Sequence, residues 1–160
     1  MRLTVKNYKR VEWMSEETDC YKASLYLDGK RIGTAENEGR GGCDLLSFNS
    51  RDDRERFEAA CAEWIESVKD DPDAWATDEG FVAEAVTRFR REKDMKKRLK
   101  GYATVIRIER SAGWSTEIRE IAFPAGYDIA GVLEGKIEPG DKVFAYDAED
   151  GLRVWEGASA

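Results

Sequence analysis

Histidine does not occur in these 160 residues. Its absence removes Ser-His-Asp and Cys-His catalysis, histidine-ligated metal sites and an imidazole general base. Cysteine is scarce as well: Cys20, Cys43 and Cys61 are odd in number and lack C-x-x-C spacing. They cannot build a four-cysteine zinc site alone, and reduced thiols in a cytosolic protein are the simplest reading. No apolar run approaches the roughly 20 residues of a membrane span. The opening Met1-Arg2-Leu3-Thr4-Val5-Lys6 has no apolar h-region, so a cytoplasmic protein that makes no use of a membrane is expected. An enzyme here would need carboxylates, Lys, Tyr or a bound cofactor. The sequence offers no cofactor or metal motif, and the reading leans away from catalysis.

Aromatic residues are plentiful by contrast, with five Trp, six Tyr and six Phe. They supply much of the burial that offsets chain entropy, which argues against disorder. The length fits one domain over 1–160, with a β-rich C-terminal subdomain at 102–160 as the variant. There are 33 acidic and 26 basic side chains, and the net charge of −7 disfavours long-range attraction to nucleic acid or anionic lipid.

Along the chain, residues 2–14 read as a strand, or a strand with a bulge, in which Leu3 and Val5 alternate with Thr4 and Lys6. The pattern blurs at Asn7 to Arg10 and resumes at Val11 and Trp13. Tyr21, Ala23, Leu25 and Leu27 alternate cleanly. Asp28-Gly29 then signals a type I′ turn, and 30–37 returns as the partner. A three-stranded antiparallel meander is the expectation. Ser50 is an N-cap, and Phe57, Ala60, Cys61, Trp64, Ile65 and Val68 repeat at helical spacing over about 51–69. A second amphipathic helix starts near Thr77 or Asp78, with Phe81, Val82, Ala85, Val86 and Phe89 inward and Gly101 as its stop. The last third reads as strands over 103–110, 116–123, 142–146 and 152–155, with a turn over 111–115. Residues 125–138 are ambiguous: Ile129, Val132 and Leu133 have helical spacing among glycines. The fold class is therefore α+β: a meander, two amphipathic helices and a C-terminal β-rich hairpin region.

Two segments are candidates for function. Asn37, Gly39, Arg40, Gly41 and Gly42 could form a nest of backbone N–H groups for a nucleotide or other anion, with Arg40 adding charge. Against this, no G-x-x-x-x-G-K-[ST] pattern is present, Asp44 would repel a phosphate, and a tight bend explains the same glycines. Cys43, beside Arg40, is the best candidate for a thiolate but has no base, and a structural thiol is favoured. The second segment is Arg88, Arg90, Arg91, Lys93, Lys96, Lys97, Arg98 and Lys100. Set against Glu92 and Asp94, it carries a net +6, which leaves −13 on the rest of the chain. It reads either as a solvated helix end favoured by the macrodipole or as a patch for nucleic acid or an acidic protein. Asp70, Asp71, Asp73, Asp78 and Glu79 fit no EF-hand register and read as solvated.

Glu16-Glu17-Thr18-x-Cys20, Leu27-Asp28-Gly29-Lys30-Arg31-x-Gly33-Thr34 and Asn37-x-Gly39-x-Gly41-Gly42 occur in that order within about the first 60 residues. In this arrangement the chain resembles a family of small uncharacterised proteins carried by bacteriophages, prophages and plasmids. The basic segment from Lys96 to Gly101, followed by a strand, is loosely similar too. The resemblance brings no catalytic residues. It implies an accessory protein of a mobile element in the bacterial host cytoplasm, whose partner is a host protein or a defence complex. On that reading the chain is a non-enzymatic binder, with a counter-defence inhibitor of the anti-CRISPR kind as its sharpest form.

Overall fold

A computed structural model describes residues 1–72, 74–112 and 115–155. It is α+β, with two four-stranded antiparallel sheets and three helices. The chain divides into two compact units, Met1–Phe89 and Arg90–Ala160. The division falls inside a helix.

In the first unit, β1 (Leu3–Arg10), β2 (Tyr21–Leu27), β3 (Lys30–Asn37) and β4 (Leu45–Phe48) follow one another in the sheet. The meander thus has four strands, not three. The fourth forms because Gly33 lets it approach: a Cβ on Gly33 would lie 2.1 Å from the Ser47 carbonyl oxygen. Leu3 and Val5 pair with Leu27 and Leu25, and Ala23 with Ala35, so one face of the sheet is apolar. Between β2 and β3, Asp28 (φ 48°) and Gly29 (φ 83°) both take the positive φ that a type I′ turn demands.

The expected resumption of the first strand at Val11 and Trp13 does not occur. Asn7 adopts a φ of 54°, the register slips between Lys6 and Lys9, and Glu12–Met14 is a 3-10 turn. Trp13 is left 84% exposed.

Helix α1 (Arg51–Val68) starts at Ser50, whose hydroxyl accepts the Asp53 N–H at 3.1 Å. The Asp53 carboxylate, nearly buried, is met by Lys30 at 2.9 Å, which ties the helix start to β3. Phe57, Ala60 and Cys61 fill the apolar face of α1. Helix α2 (Asp78–Arg98) contributes Phe81, Val82, Ala85 and Val86 to the same core, and Phe81 meets Phe57 and Trp64 at ring-centroid distances of 5.7 and 5.4 Å.

The second unit holds β5 (Thr104–Ala112), β6 (Ser115–Phe123), α3 (Ile129–Leu133), β7 (Lys142–Asp147) and β8 (Gly151–Val154), with sheet order β6-β5-β7-β8. The expected hairpins therefore join into one sheet. Residues 113–114 of the expected turn lie outside the described residues, as does Asp73 of the acidic group. Within the ambiguous 125–138 stretch, Asp128 caps the five-residue α3 by accepting the Gly131 N–H at 3.0 Å.

Central strand β5 is covered on both faces. Ile106 and Ile108 pack with Leu133, Phe123 and Val143, while Val105 packs with Met95 and Tyr146. The loop before β7 is clamped by Arg110, whose guanidinium takes both Asp141 oxygens at 2.9 Å and Glu138 at 2.6 Å.

Candidate functional site

The motif residues of the first unit gather into one hydrogen-bonded knot. Asn37, at the end of β3, is buried, and its amide is saturated. Its Oδ1 accepts from the Gly39 N–H and the Thr18 hydroxyl, both at 2.8 Å. Its Nδ2 donates to the Gly42 carbonyl and to Asp44 Oδ1, both at 2.9 Å. Asp44 Oδ2 accepts the Tyr21 hydroxyl at 2.5 Å. Burial, and then this bond to Asp44, push the Tyr21 phenol well above its usual range, so it remains a donor.

Gly39 sits at the centre. Its carbonyl oxygen accepts from the N–H groups of Glu16, Glu17 and Thr18 at 2.9, 3.0 and 3.4 Å. Three convergent backbone donors of this kind would suit an anion, but here a carbonyl of the protein's own loop fills the position. The glycine loop also uses its own donors internally, the Gly41 N–H bonding Thr18 Oγ1 at 3.3 Å and the Gly39 N–H bonding Asn37. Arg40, Gly41 and Gly42 are exposed.

Cys43 is exposed at the edge of this loop. A hydrogen bond to Glu79 and the Glu79 charge raise its thiol above the usual range. This carboxylate opposes the thiolate that the neighbouring Arg40 would favour. Alkylation of Cys43 by iodoacetamide at pH 7 is therefore expected to be slower than that of a free cysteine. Glu79→Gln should accelerate it, and an unchanged rate measured by mass spectrometry would contradict the assignment.

The cleft beside Cys43, about 510 Å3, was not legible in the sequence. Its floor is Leu46, Phe48, Phe57 and Ile65, and its rim carries Asp44, Glu58, Asp78 and Glu79. Asp44 is bonded to Tyr21 and Asn37, Glu58 to Arg54 at 2.9 Å, and Glu79 to the Cys43 thiol. Among the described residues, no group of three or more His, Cys, Asp or Glu is placed to hold a metal ion.

The basic segment is split by its own helical geometry. Arg91, Met95 and Leu99 recur every four residues on the side that faces β5. Met95 is fully buried, and Arg91 donates two bonds, of 2.8 and 2.7 Å, to Glu109. The Arg91 guanidinium also lies 4.3 Å from the Phe144 ring centre. Arg107 joins Glu109 to Glu120 at 2.7 and 3.1 Å, and Arg98 stands 3.8 Å from Glu120. Arg107 and Glu109 are each only 8% exposed.

Sequence reasoning read the whole segment as either a solvated helix end or a patch; Arg98 is exposed, but the burial of Arg91 in this network was missed. One signal was present: Arg107 and Glu109 are two apart on a strand, hence on one face.

The solvent side of the same helix carries Lys93, Lys96 and Lys97, Lys100 follows in the turn after its end, and all four are exposed. Lys97 is 3.9 Å from Asp94, whereas Lys93, Lys96 and Lys100 form no ion pair among the described residues. Arg90 is exposed on this side, and Arg88 is half-buried within the first unit.

The two units differ in charge. The first carries 20 acidic and 13 basic residues and the second 13 of each, so the whole net charge of −7 belongs to the first. No helix among the described residues is long and apolar enough to cross a membrane. Comparison with family models, with curated proteins and with solved structures finds no match for this chain.

Proposed function

We propose that this protein is a non-enzymatic binding protein that engages an acidic macromolecule through the lysine face of α2. The observation that carries the reading is the group Lys93, Lys96, Lys97 and Lys100, exposed on one helix side and in the turn after it, while Arg91 on the other side is spent on structure. Of these, Lys93, Lys96 and Lys100 have no carboxylate partner among the described residues and keep their field for phosphates or for a carboxylate-rich protein surface. The side chains of Asn37 and Asp44 and the N–H groups of Gly39 and Gly41 are committed to one another and to Thr18 and Tyr21, which favours a scaffold role there over catalysis. The resemblance of the N-terminal motif supplies the setting: an accessory protein of a phage or plasmid, acting on a host protein or defence complex in the bacterial cytoplasm, in its sharpest form as a counter-defence inhibitor. The rival reading, an anion held at Gly39 to Gly42, must use donors other than those of Gly39 and Gly41.

The test is capture of partners from bacterial lysate, with and without nuclease, by the wild type and by Lys93→Glu/Lys96→Glu/Lys100→Glu. A stoichiometric partner held by the wild type and lost by the variant is the expected result. Nuclease sensitivity identifies nucleic acid, and the salt slope of the purified pair should then fall by about 0.9 per phosphate contact removed on duplex DNA. Equal capture by both proteins overturns the lysine face. Turnover of a nucleotide, peptide or nucleic acid by pure protein overturns the non-enzymatic reading.

A further inference from the structure

We propose that the edge of β6 is a self-complementary interface through which two copies of this chain pair, joining their second-unit sheets into one of eight strands. Strand β6 is nine residues long, contains no proline and pairs with β5 on one side only. Among the described residues, only the Phe123 carbonyl takes a backbone bond other than the β5 pairing. Natural sheets protect such an edge with inward charges, proline, bulges or rows of one charge that repel a second copy. Of these devices β6 carries one inward charge, Glu120 turned to Arg107, and it has no proline, bulge or row of one charge. Its exposed stretch Glu117-Ile118-Arg119 sets opposite charges on either side of an isoleucine that is 54% exposed.

The register follows from this order. In an antiparallel pairing with its two-fold axis at Ile118, Glu117 lies opposite Arg119 of the second copy, and Arg119 lies opposite its Glu117. Both pairs fall on one face of the joined sheet, and the two Ile118 side chains meet on the other. Shifting the axis to either neighbour puts Glu117 against Glu117 or Arg119 against Arg119, like charges directly opposite. Neither Glu117 nor Arg119 makes an ion pair within 4.0 Å in its own chain among the described residues; Arg119 acts on Asp141 only through its charge, so both side chains can reach a second copy. Glu120 and Ala122 are already turned to Arg107 and to the Met95 cluster. The register at Ile118 is therefore the one in which the exposed residues complement themselves.

Sedimentation velocity over a concentration series tests this on the full chain. The wild type is expected to show a concentration-dependent dimer. Glu117→Lys and Arg119→Glu each place like charges opposite one another twice, and each should weaken the dimer by about tenfold or more. An equimolar mixture of the two variants restores both attractive pairs. The introduced lysine of one copy then faces the introduced glutamate of the other, and the native Arg119 of the first faces the native Glu117 of the second. This mixture should dimerise although neither variant does alone. Circular dichroism checks that these exposed substitutions leave the fold intact. A wild type that stays monomeric up to about 1 mM overturns the proposal, since an edge that complements itself should hold more tightly than that. A dimer indifferent to either single change overturns it, and so does a mixture that fails to pair.

Discussion

Gly39→Ala is expected to unfold the first unit or to leave it barely folded. Two independent costs meet at this position. The backbone φ is +83°, a conformation that L side chains rarely adopt, and a Cβ there would lie 2.2 Å from the Met14 carbonyl oxygen and 2.8 Å from Cys20 Cβ. The first contact is with backbone, which cannot move without pulling on the 3-10 turn at Glu12–Met14. Any outward shift of Gly39 also loosens its carbonyl from the N–H groups of Glu16, Glu17 and Thr18. Positive φ alone costs a β-carbon residue about 1–2 kcal/mol. With the clash and the strained hydrogen bonds added, about 4 kcal/mol or more is expected, at the far end of single-residue effects. Gly42→Ala is the control: its φ is not positive and nothing lies within 4 Å of the added atom, so its effect should be close to zero. Chemical denaturation followed by residue-resolved hydrogen exchange separates the two. Loss of protection should be concentrated in β1 to β4 for the first variant, and similar curves for the two would refute the account.

This result bears on how a binding motif is told from a structural one. Three glycines in four residues resemble a phosphate loop in sequence because both need positive φ and close backbone approach. The difference lies in what fills the concavity, and that depends on Glu16 to Thr18, some 20 residues away. What was legible from the sequence was local. The alternation of Tyr21 to Leu27, the Asp28-Gly29 turn and the Ser50 cap with its apolar stripe each place an element correctly, because each signal is complete within a few residues. Strand β4 escaped notice since Leu45 to Phe48 is too short for a period to show, and its pairing depends on the missing side chain of Gly33. Trp13 misled: its spacing from Val11 suggested that the strand resumes, whereas β1 ends at Arg10 and the 3-10 turn at Glu12–Met14 leaves it in solvent. Strand β5 was placed from the sequence, but its surroundings were not legible: Val105, Arg107 and Glu109 alternate with Ile106 and Ile108, both faces are covered, and the charges survive burial because Arg91 and Glu120 arrive from other elements. Nothing near Arg91 in the sequence points to Glu109.

Removing Glu109 from that network is the second large effect. Glu109→Gln leaves Arg91 without its bidentate carboxylate and Arg107 with Glu120 alone, where the Arg91 and Arg107 side chains are only 14% and 10% exposed. Breaking a buried ion pair from one side costs about 3–5 kcal/mol, because the remaining charge stays desolvated. By contrast, removing Arg54 from its exposed pair with Glu58 should cost well under about 1 kcal/mol. Acid titration gives the sign of the effect independently. Burial works against the Glu109 carboxylate, but Arg91 and Arg107 overcome it and hold the group below the usual carboxylate range. Its stabilisation is therefore complete above the unfolded value of about 4.3 and is lost as the pH falls through the lower folded value. Urea midpoints of wild type and Glu109→Gln should lie farthest apart above about pH 5 and converge on acidification. A gap that stays constant down to about pH 2 would show that Glu109 contributes through shape, not charge. Replacing Arg91, Arg107, Glu109 and Glu120 together by apolar residues of similar volume should recover most of the loss, as buried ionic clusters elsewhere tolerate such exchange. On that outcome, the penalty in Glu109→Gln comes from the two guanidinium groups it strands, and Arg91 is kept on the inner side of α2 by its partners and not by any demand of the lysine face.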